Sequence, residues 1–69
     1  MTPLMVGQVL YGCPEFTPMP WDEHRVEAVG VDWVVVREVG AVEHLPQIAT
    51  GDDVHEHLAR YLTPHEDEA

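Results

Sequence analysis

The sequence contains no lysine, serine or asparagine, and its only cysteine is Cys13. The absence of serine excludes a serine-based catalytic triad. A lone cysteine cannot form an intramolecular disulfide, and a single free thiol is typical of a reducing compartment, so we expect a cytoplasmic protein. The valine-rich run at 31–36 is far shorter than the roughly 20 apolar residues of a membrane-spanning helix, and the first residues do not form a secretion signal. We therefore expect no membrane association.

Positive charge is also scarce. Three arginines stand against 13 aspartates and glutamates, which gives a formal net charge of −10. Direct binding to nucleic acid is not expected, because such binding depends on cationic side chains that displace counterions from the phosphates. The charge instead predicts a protein partner with a basic surface. Two alternative hypotheses are an acidic mimic of nucleic acid, whose carboxylates imitate phosphates, and a phage-type accessory inhibitor of a host protein, since the small size and residue bias resemble those of short phage accessory proteins.

The length of 69 residues predicts one small domain over 1–69, with flexible ends at 1–3 and 64–69. A domain of this size hides only about 60% of the surface that its unfolded chain exposes. Its core is therefore expected to be only marginally stable without further support. Because disulfides are excluded, a partner surface or a second copy of the chain is a natural source of that support.

Strand patterns fill the first two thirds of the chain. We expect a strand at 4–11, a proline-rich loop at 12–21, and a hairpin of two strands at 24–29 and 33–38. Gly30 is expected to take a positive φ in the turn of this hairpin. A further short strand is predicted at 41–45, ending at Pro46.

A helix is predicted near the carboxyl end, with Thr50 or Asp52 as its N-cap. Apolar residues then recur at helical spacing, and they are Val54, Leu58, Tyr61 and Leu62. The sequence therefore predicts an α+β fold: a small, strongly bent antiparallel sheet of three to four strands with one C-terminal helix. Over residues 4–49 this layout resembles that of SH3-like barrels, although no motif is shared, and the resemblance implies a partial barrel.

No catalytic or cofactor signature is present. His55, Glu56 and His57 begin like the zinc-protease motif HExxH, but Ala59 occupies the position of its second histidine. We therefore predict no metal site, no cofactor and no enzymatic activity. A metal-dependent regulator that uses histidines and carboxylates is the alternative. Cys13 is expected to be a structural residue, because the nearby Glu15 would raise the pKa of its thiol.

The hairpin is apolar on both faces, although one helix can cover only one of them. We therefore predict that the other face, with Val31 at the turn, contacts a partner or a second copy in a homodimer. Aromatic residues rimmed by acids near the proline-rich loop are predicted to hold an extended proline-containing or basic peptide, while Trp33 is assigned either to the core or to the contact. The predicted partner-binding residues are Phe16, Trp21, Val29, Val31, Val34, Val36, Glu15, Asp22 and Glu23. The expected function is a small, acidic, non-enzymatic protein-binding module that docks through a valine- and tryptophan-rich β-ribbon.

Overall fold

The computed structural model describes residues 3–17, 22–40 and 45–63. These residues form four strands and one helix. The elements are β1 (Val9–Tyr11), β2 (Glu23–Val29), β3 (Trp33–Glu38), β4 (Gln47–Thr50) and α1 (Val54–Ala59). The predicted α+β class is confirmed. The ends predicted to be flexible lie outside the described residues, apart from Pro3.

The four strands form one antiparallel sheet in the order β1-β2-β3-β4. Each strand pairs with the next strand along the chain, so β1 and β4 are the two edges. The sheet is open rather than closed, and the SH3-like barrel is not confirmed. The amide of Tyr11 in edge strand β1 donates to the carbonyl oxygen of Tyr61 at 2.8 Å, so the segment after α1 covers part of that edge.

The central hairpin, predicted at 24–29 and 33–38, is confirmed, and it contains a β-bulge at Glu27. Val29 pairs with Val34, whereas Val26 pairs with Val36, so the register shifts by one residue between the two pairs. Strict alternation would place Val26 and Val29 on opposite faces of the sheet. A bulge sets two residues against one on the neighbouring strand, and it thereby brings both valines to the same face.

That shared face, which we call the inner face, is covered by the chain itself. Helix α1 packs against β3, and the N-terminal segment and the loop after β1 extend the cover. The buried hydrophobic residues are Leu4, Leu10, Cys13, Val26, Val34, Val36, Val54 and Leu58. Phe16, Val29, Ala49, Ala59, Tyr61 and Leu62 pack around them. The inner face therefore forms a hydrophobic core within one chain.

This core corrects the prediction that Val34 and Val36 belong to an uncovered contact face. Both side chains are 0% exposed. The prediction counted only the helix as cover, but Leu4, Phe16 and the residues that follow α1 also pack over the inner face. Val34 and Val36 are core residues, and they are not available to a partner in the folded chain.

Three elements differ from the predictions. The first strand begins at Val9 rather than at residue 4, because the chain turns at Val6 and at Gly7, whose φ is 101°. The fourth strand follows Pro46 instead of ending at it. Of the predicted strand at 41–45, residues 41–44 lie outside the described part of the chain, and Leu45 is not in a strand. The N-cap of α1 is Asp53 rather than Thr50 or Asp52, and it makes no side-chain capping hydrogen bond. The helix ends at Ala59, before Tyr61 and Leu62, which the sequence pattern had included.

Candidate protein-interaction surface

The side of the sheet opposite the core, which we call the outer face, has three main cross-strand rows, and the pair Tyr11 and Glu23 lies beyond the first of them. The first row is Val9, Arg25 and Arg37, the second is Ala28, Val35 and Ile48, and the third is Trp33 and Thr50. Arg37, Val35 and Trp33 alternate along β3 and therefore share this face. Ile48 is 60% exposed, so the middle row forms an apolar strip that is open to solvent at β4.

The arginine row is an ionic cluster. Arg25 and Arg37 are directly opposite each other on β2 and β3, an arrangement that is unfavourable for like charges. Glu27 compensates for it: Nε of Arg37 donates to both carboxylate oxygens at 3.1 Å, and Nη2 of Arg25 lies 3.5 Å from Oε2. The two arginine side chains are 52% and 40% exposed, so each ion pair contributes at most about 1 kcal/mol to stability. The bulge at Glu27 thus places a carboxylate beside both cations.

The opposite end of the outer face carries the indole of Trp33, next to the β2–β3 turn. Trp33 is half-buried, and its indole ring lies so close to Gly30 that a Cβ atom at Gly30 would overlap the ring. Gly30 is not one of the glycines with positive φ, which corrects the prediction for this turn. Glycine is required here because the indole occupies the space of a side chain. Asp32, next to Trp33, is exposed. Its carbonyl oxygen accepts a hydrogen bond of 3.0 Å from the Gly51 amide.

A shallow apolar hollow of about 520 Å³ lies beside the β2–β3 turn. It is lined by Pro3, Val29, Gly30, Val31 and His55. Val31 is 92% exposed at the tip of the turn, whereas Val29 is half-buried against the core. Of the valines predicted for partner binding, Val31 is therefore the one that a partner can reach most easily.

His55 forms the polar floor of this hollow and links three segments of the chain. The Leu4 amide donates to Nδ1 at 3.0 Å, so the proton of the neutral ring is on Nε2. Nε2 in turn donates to the carbonyl oxygen of Gly30 at 2.6 Å. A single histidine on α1 therefore fixes both the N-terminal segment and the turn of the central hairpin.

A second, more polar groove lies between β4, α1 and the loop after β1. Its volume is about 220 Å³, and its lining residues are Glu15, Ala49, Thr50, Asp53, Val54, His57 and Leu58. Nε2 of His57 lies 3.0 Å from Oε2 of Glu15, and both side chains are partly exposed. Glu15, predicted to contact a partner, is thus also a partner of His57 within the chain.

Cys13 is buried in the core, as a structural cysteine would be. Burial raises the pKa of its thiol above the usual value, and the negative charge of Glu15 raises it further, although backbone hydrogen bonds act in the opposite direction. The protonated thiol is a poor nucleophile and a poor metal ligand. The site therefore favours a packing role for Cys13.

We expect iodoacetamide to modify Cys13 at least about tenfold more slowly in the native protein than in urea at about pH 8, because the thiol is buried and protonated. Mass spectrometry of timed samples measures both rates. A free-cysteine peptide treated in both solvents corrects for the effect of urea on the reagent. Equal corrected rates would show that the thiol is accessible in the folded chain.

The remaining predicted contact residues are dispersed. Phe16 packs against the core with its ring centroid 5.4 Å from that of His24, which places it away from the outer face. Asp22 accepts a hydrogen bond from the Thr17 hydroxyl at 2.9 Å. Glu23 is exposed on the outer face opposite Tyr11, and Trp21 lies outside the described residues. The predicted aromatic surface around the proline-rich loop is therefore not assembled by the described residues, because Phe16 turns inward.

The outer-face residues Arg25, Glu27, Arg37 and Ile48 were not predicted from the sequence. Alternation within the hairpin placed Val35 and Arg37 on one side, which is the signal that could have revealed this face. The β-bulge at Glu27 hid this signal. In a hairpin without the bulge, Arg37 would pair with Val26 rather than with Arg25.

The described parts of the chain contain no group of three or more histidine, cysteine, aspartate or glutamate side chains arranged to hold a metal ion. Within the same residues, no helix has the length and apolar character needed to cross a membrane.

Comparison with known proteins gives no assignment: no family model, no curated protein and no solved structure matches this chain.

Proposed function

We propose that this protein is a non-enzymatic protein-binding module that docks on another protein through the outer face of its sheet. The observation that carries the proposal is the apolar middle row, which is open to solvent at Ile48 while the opposite sheet face is covered by the chain itself. Exposed apolar strips bordered by polar groups are typical of protein contact sites. This assignment replaces Val34 and Val36 with Val35 and Ile48 as contact residues and retains Val31 at the exposed tip of the turn.

Charge supports a role in association rather than catalysis. Exposed carboxylates occur on the loops and around α1, and the formal net charge is −10. A negative field of this kind accelerates encounters with a basic surface, while apolar contacts hold the complex together. The outer face carries charged groups of both signs beside the apolar strip, Arg25 and Arg37 next to Glu27, and such fixed charges orient a docked partner.

A pull-down experiment tests the proposal. The wild-type protein and the Ile48→Arg variant are each immobilised, and the proteins that they capture are compared. Ile48 is exposed, so the variant is expected to keep its circular dichroism spectrum while the apolar strip is interrupted by a charge. Proteins bound from a lysate of the source cells are quantified by mass spectrometry. We expect a defined set to be retained by the wild type and reduced at least about tenfold by Ile48→Arg, as for a central contact residue.

Val6→Arg is the matched control. Val6 is 64% exposed in the turn before β1, outside the sheet, and the substitution adds the same charge. Val6→Arg should retain the same proteins as the wild type. If all three baits bind the same proteins equally, the outer face is not the docking surface. If binding disappears in about 0.5 M salt, charge alone holds the complex, as expected of a nucleic-acid mimic.

A further inference from the structure

We propose that an extended segment of the partner protein adds to the sheet as a fifth strand beside β4, with an apolar side chain on the outer face and a basic side chain in the groove between β4 and α1. The inference rests on the proposed function, since it names the way in which a partner is held at Ile48. Its evidence is the edge of β4, the groove beside that edge, and the charge of the groove.

The two edges of the sheet differ. At β1, the Tyr11 amide already donates to the carbonyl oxygen of Tyr61, in the segment that follows α1. Among the described residues, the backbone hydrogen bonds of β4 go to β3 alone, and three of the four β4 residues are exposed. Exposed edges of this kind pair readily with a strand from another chain. The β4 edge is therefore the one at which a partner segment can add.

The pairing of β3 with β4 shows which backbone groups a partner can reach. The Gly51 amide donates to the carbonyl oxygen of Asp32, so these two residues form a hydrogen-bonded pair. The carbonyl oxygen of Trp33 instead accepts a bond from the turn of the central hairpin, on the side away from β4. Bonded and non-bonded pairs alternate along an antiparallel ladder. Ile48 and Thr50 therefore direct their N–H and C=O groups away from β3, toward an added strand.

The side chains of an added strand alternate between two environments. A residue opposite Ile48 lies on the outer face and extends the apolar strip, because Ile48 is 60% exposed there. A residue opposite Ala49 lies on the inner face, beside the groove of about 220 Å³ that Ala49 and Thr50 help to line. The edge and the groove together thus favour an extended segment in which apolar residues alternate with a residue that enters the groove.

The charge of the groove favours a basic side chain at that position. Its described lining residues include two carboxylates, Glu15 and Asp53, and one histidine, His57, but no arginine. Glu15 lies 3.0 Å from His57, whereas Asp53 makes no side-chain capping bond and no ion pair with a described residue. A lysine or arginine of the added strand would pair with these carboxylates.

A second copy of this chain does not have a suitable segment. The sequence contains no lysine and three arginines. Arg25 and Arg37 are in β2 and β3, which are paired on both sides within the sheet, and Arg60 is the C-cap of α1. The occupant is therefore a different protein that exposes an extended basic segment.

The test uses the pentapeptide TVKVT, acetylated and amidated, whose valines can face outward while its lysine lies opposite Ala49. In amide chemical-shift titrations we expect saturable binding with a dissociation constant of about 1 mM or lower. The largest shifts should occur at residues 48–50 and at His57. The peptide TVEVT, with glutamate in place of lysine, should bind at least about tenfold more weakly. If TVKVT shows no saturable binding up to about 10 mM, the inference is overturned.

N-methylated peptides test the strand pairing without any change in the protein. In an antiparallel alignment the valine amides of TVKVT point to β4, whereas the lysine amide points away from it. Methylation of both valine amides should raise the dissociation constant at least about tenfold, and methylation of the lysine amide less than about twofold. Equal effects of the two modifications contradict an added strand.

Thr50→Pro tests the edge from the side of the protein. Proline removes the Thr50 N–H, which points away from β3, so the β3–β4 ladder keeps its bonds. We expect a native circular dichroism spectrum and a dissociation constant for TVKVT that rises about fivefold or more. A folded Thr50→Pro variant that binds TVKVT like the wild type contradicts binding at the β4 edge.

Two charge-neutralising variants test the groove. Asp53→Asn and Glu15→Gln should each raise the dissociation constant for TVKVT about twofold to fivefold, as expected for exposed ion pairs. Glu23→Gln is the matched control, because Glu23 is an exposed carboxylate on β2, two strands away from β4. If Glu23→Gln weakens binding as much as the other two variants, the net charge of the protein rather than the groove selects the lysine.

The pull-down separates this inference from the proposed function. If Ile48→Arg loses the captured proteins and Thr50→Pro retains them, the outer face docks a partner without strand addition, so the inference fails and the proposed function stands. Loss of the same proteins by both variants supports both. If neither variant loses them, the proposed function fails, and the peptide titration alone decides strand addition. A dimer in sedimentation equilibrium that Thr50→Pro disrupts would make a second copy the occupant and overturn the inference.

Discussion

Val34→Arg is expected to unfold the protein. Val34 is 0% exposed in β3, and Val29 and Ala49 flank it on the neighbouring strands, so the guanidinium would enter an aliphatic core. A buried unpaired charge costs several kcal/mol. A domain of this size rarely derives more than about 3–5 kcal/mol from its core, so the substitution exceeds the available stability. We expect the far-ultraviolet circular dichroism spectrum of an unfolded chain and no cooperative thermal transition.

Val35→Arg is the matched control, because the adjacent residue in β3 points to the outer face. Its side chain is half-buried, and a long arginine side chain can extend along the sheet to reach water. We expect a folded protein with a loss of about 1 kcal/mol or less. A folded Val34→Arg variant, or an unfolded Val35→Arg variant, would contradict the assignment of the inner and outer faces.

His55→Phe is expected to lower the free energy of unfolding by about 2–4 kcal/mol, because two backbone groups lose their partners while a planar aromatic ring stays at the position. The Leu4 amide loses its acceptor in a buried position, and the Gly30 carbonyl oxygen loses its donor. Urea denaturation measures the loss. Amide hydrogen exchange at Leu4 should accelerate more than exchange in β2 or β3, since the N-terminal segment is released first.

Two variants isolate the hydrogen bonds of His55 from its packing. His55→Gln keeps one acceptor and one donor and should recover part of the lost stability. His57→Phe makes the same change two residues later, where the ring is partly exposed and contacts the exposed Glu15, so we expect a loss below about 1 kcal/mol. Equal losses for the two phenylalanine variants would show that the link from Leu4 to Gly30 contributes little to stability.

The central hairpin and the helix were predicted from the sequence because their signals are local. Gly30 with Val31 and Asp32 separates two strand patterns, and the structure places β2 and β3 on either side of that turn. Val54 and Leu58 recur at helical spacing and are both buried in α1. A residue pattern within about ten positions was sufficient for each element, since each depends on neighbours along the chain.

The valines that the sequence grouped as a contact face lie on the covered inner face, because part of the cover comes from residues far away in the sequence. Val29, Val34 and Val36 were grouped correctly, but that group is the inner face. No local pattern predicts that Glu27 bulges, since the bulge arises when Val26 and Val29 both enter the core and Glu27 pairs with two arginines. Leu4 and Phe16 also pack over the inner face. They come from distant parts of the sequence, so the prediction did not count them as cover for the hairpin.

The sequence by itself determined the acidic charge, the lone thiol, the α+β class and the central hairpin, because composition and short-range periodicity suffice for these. Only the tertiary structure decided which side of the hairpin faces the core, where the fourth strand begins after Pro46, and how His55 joins the N-terminal segment to the turn at Gly30. These features depend on contacts between residues far apart in the chain. Their energies are set by packing and hydrogen bonding in three dimensions, and no local residue pattern encodes them.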